Sequence, residues 1–352
     1  MKLNKLLIII FILIVFFKTE TVFSENELFN VNNIKLEKRD KLSNSALADK
    51  AIKKGFDQLI ARILLKEDIK KISDLNFSTI KQLVTYYQIS NITNENEKEN
   101  NNELVSFSVT FDKDKIHDLF YKRDILYAEI SDKELFILPI VVKNNEVFIF
   151  NKNFFYSNWN IIKDDNLVEF ILPLENIEII KNITTYRNDL ISLDLNLLFK
   201  EYFGKNLALI LIEDNKSKDK KIFIKSIIQG KNLSKSLVFK KKDLTNEQLN
   251  KKIIIETKNE LINLVKSKNL IDIRTPSFIN AQLNLKKKNN LVKLNSKIQN
   301  IDLIENVFVQ EFNSEYMKIR IKYLGKLEKV IRQLKKEKII LQLVADQWII
   351  SH

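Results

Sequence analysis

No cysteine occurs anywhere in the 352 residues. The chain therefore has no disulfide, no thiol nucleophile and no thiolate metal site, and its stability rests on its core alone. Histidine is almost as scarce, since His117 and His352 are too few for a multi-histidine zinc or iron centre. Glycine occurs at Gly55, Gly204, Gly230 and Gly325, none near another. Loops that cradle phosphate need several glycines close together, which excludes nucleotide loops of both common kinds. Beyond Phe17 no run is apolar enough to span a bilayer.

What remains is globular in composition, with 45% apolar residues, enough for two or three domains and a sizeable core. The formal net charge is +13. Such a charge suits anionic partners, among them lipid headgroups, phosphate-bearing envelope polymers and nucleic acid. Lysine, asparagine and isoleucine are over-used throughout, however, which also fits an AT-rich genome. The first 24 residues join Lys2 and Lys5, the unbroken apolar run from Leu6 to Phe17, and an ending in Val22, Phe23 and Ser24. This is the layout of a secretory signal peptide, too short in its apolar part to span a bilayer. The expectation is export to the periplasm of a Gram-negative bacterium, with an uncleaved, inner-membrane-anchored form as the alternative. Cleavage after Ser24 removes three lysines and one glutamate and leaves +11.

Periodicity predicts an α+β fold of small mixed α/β domains in series: 25–123, 124–272 and 273–352, after the leader at 1–24. Residues 28–37 read as a strand, and apolar steps of three and four from Ala48 to Ile63 predict a helix over 46–65. A short helix is expected near 79–87, a surface loop over the polar run 91–102, and an alternating strand over 104–111. Asp112 is a cap for a helix over 113–123. In the middle, 135–142 is an apolar run containing Pro139, Asn144 and Asn145 turn the chain, and Asn151 can cap a helix over 154–162. Residues 190–202 read as a helix, 207–212 as a central strand buried on both faces, 214–221 as an exposed turn and 246–266 as a long helix. From Arg274 on, the order strand, helix, strand, strand, helix, strand, ending at 339–344, is ferredoxin-like, and the first region repeats that βαββαβ order.

Several stretches resemble the bacterial exported proteins of domain-of-unknown-function family 2066. They are Ala51, Phe56, Leu59, Ile60 and Ile63 of the opening helix, VTFDKDKIHDL from Val109, LPLENI from Leu172, YFGKNLALILI from Tyr202, and the aromatic ending around Trp348. The middle region is also similar to the N-terminal α/β domain of TolB-type envelope proteins. These resemblances imply compartment and architecture; they imply no activity.

Candidate chemistry is sparse. His117 could pair with Asp114 at helical spacing, with Asp118 beside it, but no serine is identified to complete a triad. Glu169, Glu175 and Glu178, with Asp164 and Asp165, are the one carboxylate cluster that glycoside hydrolysis or calcium binding could use. Phe154, Phe155, Tyr156 and Trp159 are the densest aromatic patch, suited to covering a sheet or to a ligand platform. Lysines gather at 240–242, at 286–288 and at Lys335, Lys336 and Lys338, where helix ends favour cations. Their neighbours are Leu, Asn and Ile, not the interleaved aromatics of a nucleic-acid site. The sequence thus predicts a periplasmic, non-enzymatic binding or scaffolding module without metal or cofactor, whose partner is an envelope protein or an anionic envelope polymer. Nucleic acid is not expected as a partner, and the membrane enters only through an uncleaved leader. The alternative is a carboxylate-dependent envelope hydrolase centred on Glu169, Glu175 and Glu178.

Overall fold

A computed structural model describes residues 28–38, 43–91, 103–130, 132–162, 168–214, 219–241, 244–285 and 291–351. The leader, the polar run 92–102, Asp164, Asp165, Lys242 and Lys286–288 lie outside them. In chain order the elements are β1 (Asn30–Lys38), α1 (Asn44–Ile63), α2 (Phe77–Gln82), β2 (Val84–Asn91), β3 (Glu103–Phe111), α3 (Lys113–Arg123) and β4 (Tyr127–Ala128). There follow β5 (Glu134–Lys143), β6 (Glu146–Phe148), α4 (Phe154–Asn158), β7 (Glu169–Ile171), α5 (Ile177–Thr185), α6 (Leu195–Leu198), β8 (Asn206–Glu213), β9 (Asp219–Ile228), β10 (Lys231–Lys240), α7 (Asn246–Lys268) and β11 (Leu270–Ile271). The chain closes with β12 (Ser277–Asn284), α8 (Leu291–Gln299), β13 (Ile304–Phe312), β14 (Tyr316–Tyr323), α9 (Leu327–Lys336), β15 (Ile340–Val344) and β16 (Gln347–Ser351). The class is α+β with several small sheets. Among the described residues no helix is long and apolar enough to cross a membrane.

Contacts group the chain into two units, one of residues up to 55, 77–119 and from 273 on, the other of 56–76 and 120–272. In the first unit β1, β3 and β2 form an antiparallel sheet in the order β1-β3-β2. Helix α1 approaches it at Gly55, where a Cβ would stand 2.9 Å from Ile34 Cδ1 and 3.5 Å from Val109 Cβ. The missing side chain is what lets the helix lie on the strands. Asp112 caps α3 as the sequence predicts, its Oδ1 accepting from the backbone N–H of Asp114 at 3.0 Å and of Lys115 at 3.1 Å. The expected helix near 79–87 stops at Gln82, because Val84, Thr85, Tyr86 and Tyr87 are β-branched or aromatic and enter β2.

The ferredoxin-like order is incomplete at the front and extended at the back. Strand β4, two residues long, does not join the N-terminal sheet and pairs with β11. The C-terminal sheet has the order β13-β14-β12-β16-β15. Its extra strand follows a hairpin at Ala345 and Asp346, both at positive φ (47° and 61°). Neither residue is the glycine or asparagine that normally announces such a turn. Strand β16, not β15, therefore lies next to β12, and runs parallel to it.

The second unit is built on a six-stranded sheet, β10-β9-β8-β5-β6 with β7 also on β5. β8 is buried on both faces, as its apolar run predicts. Leu249, Ile253 and Leu261 of α7 cover one face with Phe155 and Trp159, while Ile179, Ile183, Leu195 and Leu198 cover the other. Asn144 and Asn145 turn the chain at positive φ, as expected. Pro139 sits in a central strand without penalty because 137–140 have a strand partner on one side only. The gap is filled by Asn153, 1% exposed, whose amide donates to Pro139 O at 2.8 Å and to Phe148 O at 3.3 Å. Its Oδ1 caps α4 through Phe155 N at 2.9 Å, so Asn153 takes the role expected of Asn151.

Candidate binding face

The candidates singled out in the sequence are spread over both units. In the first, His117 lies edge-on to Phe29, ring centroids 5.7 Å apart, while Asp114 is exposed and does not bond to it. Burial, then the charge of Lys113, lowers the imidazole to about 4. The ring is packed and neutral at pH 7. In the second unit Glu169, Glu175 and Glu178 are all exposed. Glu175 lines a cavity of about 520 Å³ with Glu146, Lys152 and Arg187. Glu178 stands in the first turn of α5, where an acidic residue suits the helix dipole. Phe155 and Trp159 are 2% and 0% exposed, core side chains and not a platform. Tyr156 donates its hydroxyl to Pro173 O at 2.8 Å, and burial followed by Glu175 raises its phenol. Lys335 and Lys336 are exposed in the last turn of α9, as the dipole argument expects.

A surface the sequence reading passed over emerges on the C-terminal sheet. Alternation divides β12 and β14 cleanly. Ile279, Ala281, Leu283, Ile319 and Ile321 are buried on one face. Helices α8 and α9 bring Leu294, Ile298, Val330 and Leu334 to that core. The opposite face carries Phe278, Asn280 and Gln282 from β12 and Lys318, Arg320 and Lys322 from β14. Register sets Arg320 between Asn280 on β12 and Phe308 on β13, with Phe278 opposite Lys322 and Gln282 opposite Lys318. Phe278 and Phe308 are 46% and 48% exposed.

The side chains of this face are already ordered. The Arg320 guanidinium lies over the Phe278 ring, 4.4 Å from its centroid, a cation–π contact worth about 0.5–1 kcal/mol at an exposed site. Lys318 pairs with Glu311 and Lys322 with Glu305, each at 2.8 Å. The bond from Lys318, then that from Tyr316, holds the Glu311 carboxyl below its usual range. Gln347 of β16 donates to Gln282 Oε1 at 2.7 Å. Residues 273–352 hold fifteen Lys and Arg against seven Asp and Glu, so +8 of the chain's +13 belongs to this segment. That imbalance was readable in the sequence. The aromatic and basic neighbours were not, because Phe278, Phe308 and Arg320 meet across strands and not along the chain.

No family model matches the chain, and no curated protein matches it. A solved structure described as an uncharacterized protein, 7% identical, aligns with 40% of this chain and 94% of its own at a TM-score of 0.18. A likeness at that level carries no argument about fold or function.

Proposed function

We propose that the protein is an exported, non-enzymatic component of the cell envelope that works by contact, through the outer face of its C-terminal sheet. The observation that carries this reading is the open face on which two half-exposed phenyl rings flank a pre-ordered arginine. Export rests on the leader, and the resemblance to family 2066 belongs to the same reading. An uncleaved leader would tether the same module to the inner membrane.

The test is a comparison of two variants in the organism that makes the protein. Phe278→Ser/Phe308→Ser should abolish its association with the envelope fraction, while Glu169→Ala/Glu175→Ala should leave association and phenotype intact. The reverse result would favour the carboxylate hydrolase and defeat the proposal. N-terminal sequencing should find a mature chain starting at or next to Glu25.

A further inference from the structure

We infer that this outer face binds a glycan strand bearing a carboxylate, its sugar rings stacked on Phe278 and Phe308 and its acid held by Arg320. The inference rests on the contact reading above and adds the chemistry of the partner.

Charge complementarity points to the acid. Three cations stand in line on β14, and two of them, Lys318 and Lys322, already have their carboxylates. Arg320 between them has a ring beneath it and no anionic partner among the described residues. A planar guanidinium held in place by stacking matches a carboxylate in two parallel hydrogen bonds, at little further cost in side-chain order. What the face lacks is one acid, delivered at one place.

The rest of the face suits sugars. A cavity of about 350 Å³ adjoins Phe278; its polar lining is Asn280, Gln310, Lys318, Asp346 and Gln347, so the acid of the ligand must sit at Arg320, away from Asp346. Ligand sites of this size combine apolar or aromatic walls with a few convergent polar groups. Aromatic rings match the C–H faces of a pyranose, and side-chain amides offer both donor and acceptor to its hydroxyls. Phe278 and Phe308 lie on strands separated by β14, about 10 Å apart at two strand spacings, so the occupant is longer than one sugar. Single-stranded nucleic acid could stack on the same rings. It would bring a phosphate at every unit, whereas with Lys318 and Lys322 already paired Arg320 alone of the three cations on β14 is left to meet them, a match for a sparsely charged glycan.

The experiment is an isothermal calorimetric titration of the full chain. The probes are a hyaluronate oligosaccharide, with a carboxylate on alternate sugars, a chitin oligosaccharide without one, and oligodeoxythymidylate. Hyaluronate should bind at least about tenfold more tightly than chitin. Arg320→Gln should remove that preference with a melting temperature within about 3 °C of wild type, Arg320→Lys should restore part of it, and Phe308→Ser should weaken both glycans. The inference is overturned if oligodeoxythymidylate binds more tightly than hyaluronate, if Arg320→Gln leaves the preference intact, or if neither glycan binds. Should neither glycan bind while Phe278→Ser/Phe308→Ser still releases the protein from the envelope, the glycan fails and the contact reading stands. If that double variant is retained like the wild type, the contact reading itself falls.

Discussion

Replacing Lys266 with methionine tests how the second unit is held together. Lys266 sits near the end of α7, 6% exposed, and its ammonium donates to the carbonyls of Ala61 and, at 2.9 Å, of Leu64. These carbonyls belong to the last turn of α1 and the residue after it, where helix acceptors have no partner of their own. Burial lowers the lysine from 10.5 to about 8. That difference corresponds to about 3 kcal/mol held against the charged form. At pH 7 the substitution removes this burden but leaves two carbonyls without their donor, each charged bond being worth about 1.5–3 kcal/mol. The expected net loss is about 0–3 kcal/mol. The sign of the pH dependence follows from the lowered value: between about 8 and 10.5 the unfolded chain binds a proton that the native chain has released. This group's contribution therefore rises with pH. The gap between wild type and Lys266→Met should widen by about 2 kcal/mol between pH 7 and pH 9.5. Urea unfolding of both proteins at the two pH values measures it. A gap that is constant, or that narrows, refutes the account of Lys266 as a charged strut buried at a cost.

His117 supplies the acid counterpart. Its value is lowered to about 4 from 6.5, so the unfolded imidazole takes its proton first and stability falls as pH drops through that window. Relative to His117→Gln, wild type should lose about 2 kcal/mol between pH 7.5 and pH 5, and its ring resonances should not titrate above pH 5. Asn153→Ala should cost about 2–3 kcal/mol in urea unfolding, since it removes the α4 cap and the donor to Pro139 O together. A loss below about 0.5 kcal/mol would mean that water replaces the amide.

Elements with strong periodicity or a named stop signal were legible in the sequence. Helix α7, the doubly buried β8, the Asp112 cap and the asparagine turn at 144 and 145 all followed from residue pattern. Elements decided by tertiary context were not. The expected helix over 190–202 breaks at Asp194, which instead caps the four-residue α6. The hairpin at Ala345 and Asp346 has neither glycine nor asparagine and opens on an alanine at positive φ, so β16 and its place beside β12 were not signalled. The candidate face suffers from the same limit. Alternation in β12 and β14 marks which residues point outward, but only the register tells that Phe308, Arg320 and Asn280 lie in one row.

The division of the chain has a consequence for its biogenesis. The six-stranded unit is completed by residue 272, whereas the other draws on both early segments and everything from 273 on. A nascent polypeptide can thus finish its middle before its beginning, and the N-terminal strands wait for the last stretch to be synthesised. Long-range closures of this kind are slow and leave apolar surface uncovered meanwhile. Ribosome stalling or premature termination beyond residue 272 should accordingly yield a product with one protease-resistant half and one that quality control degrades.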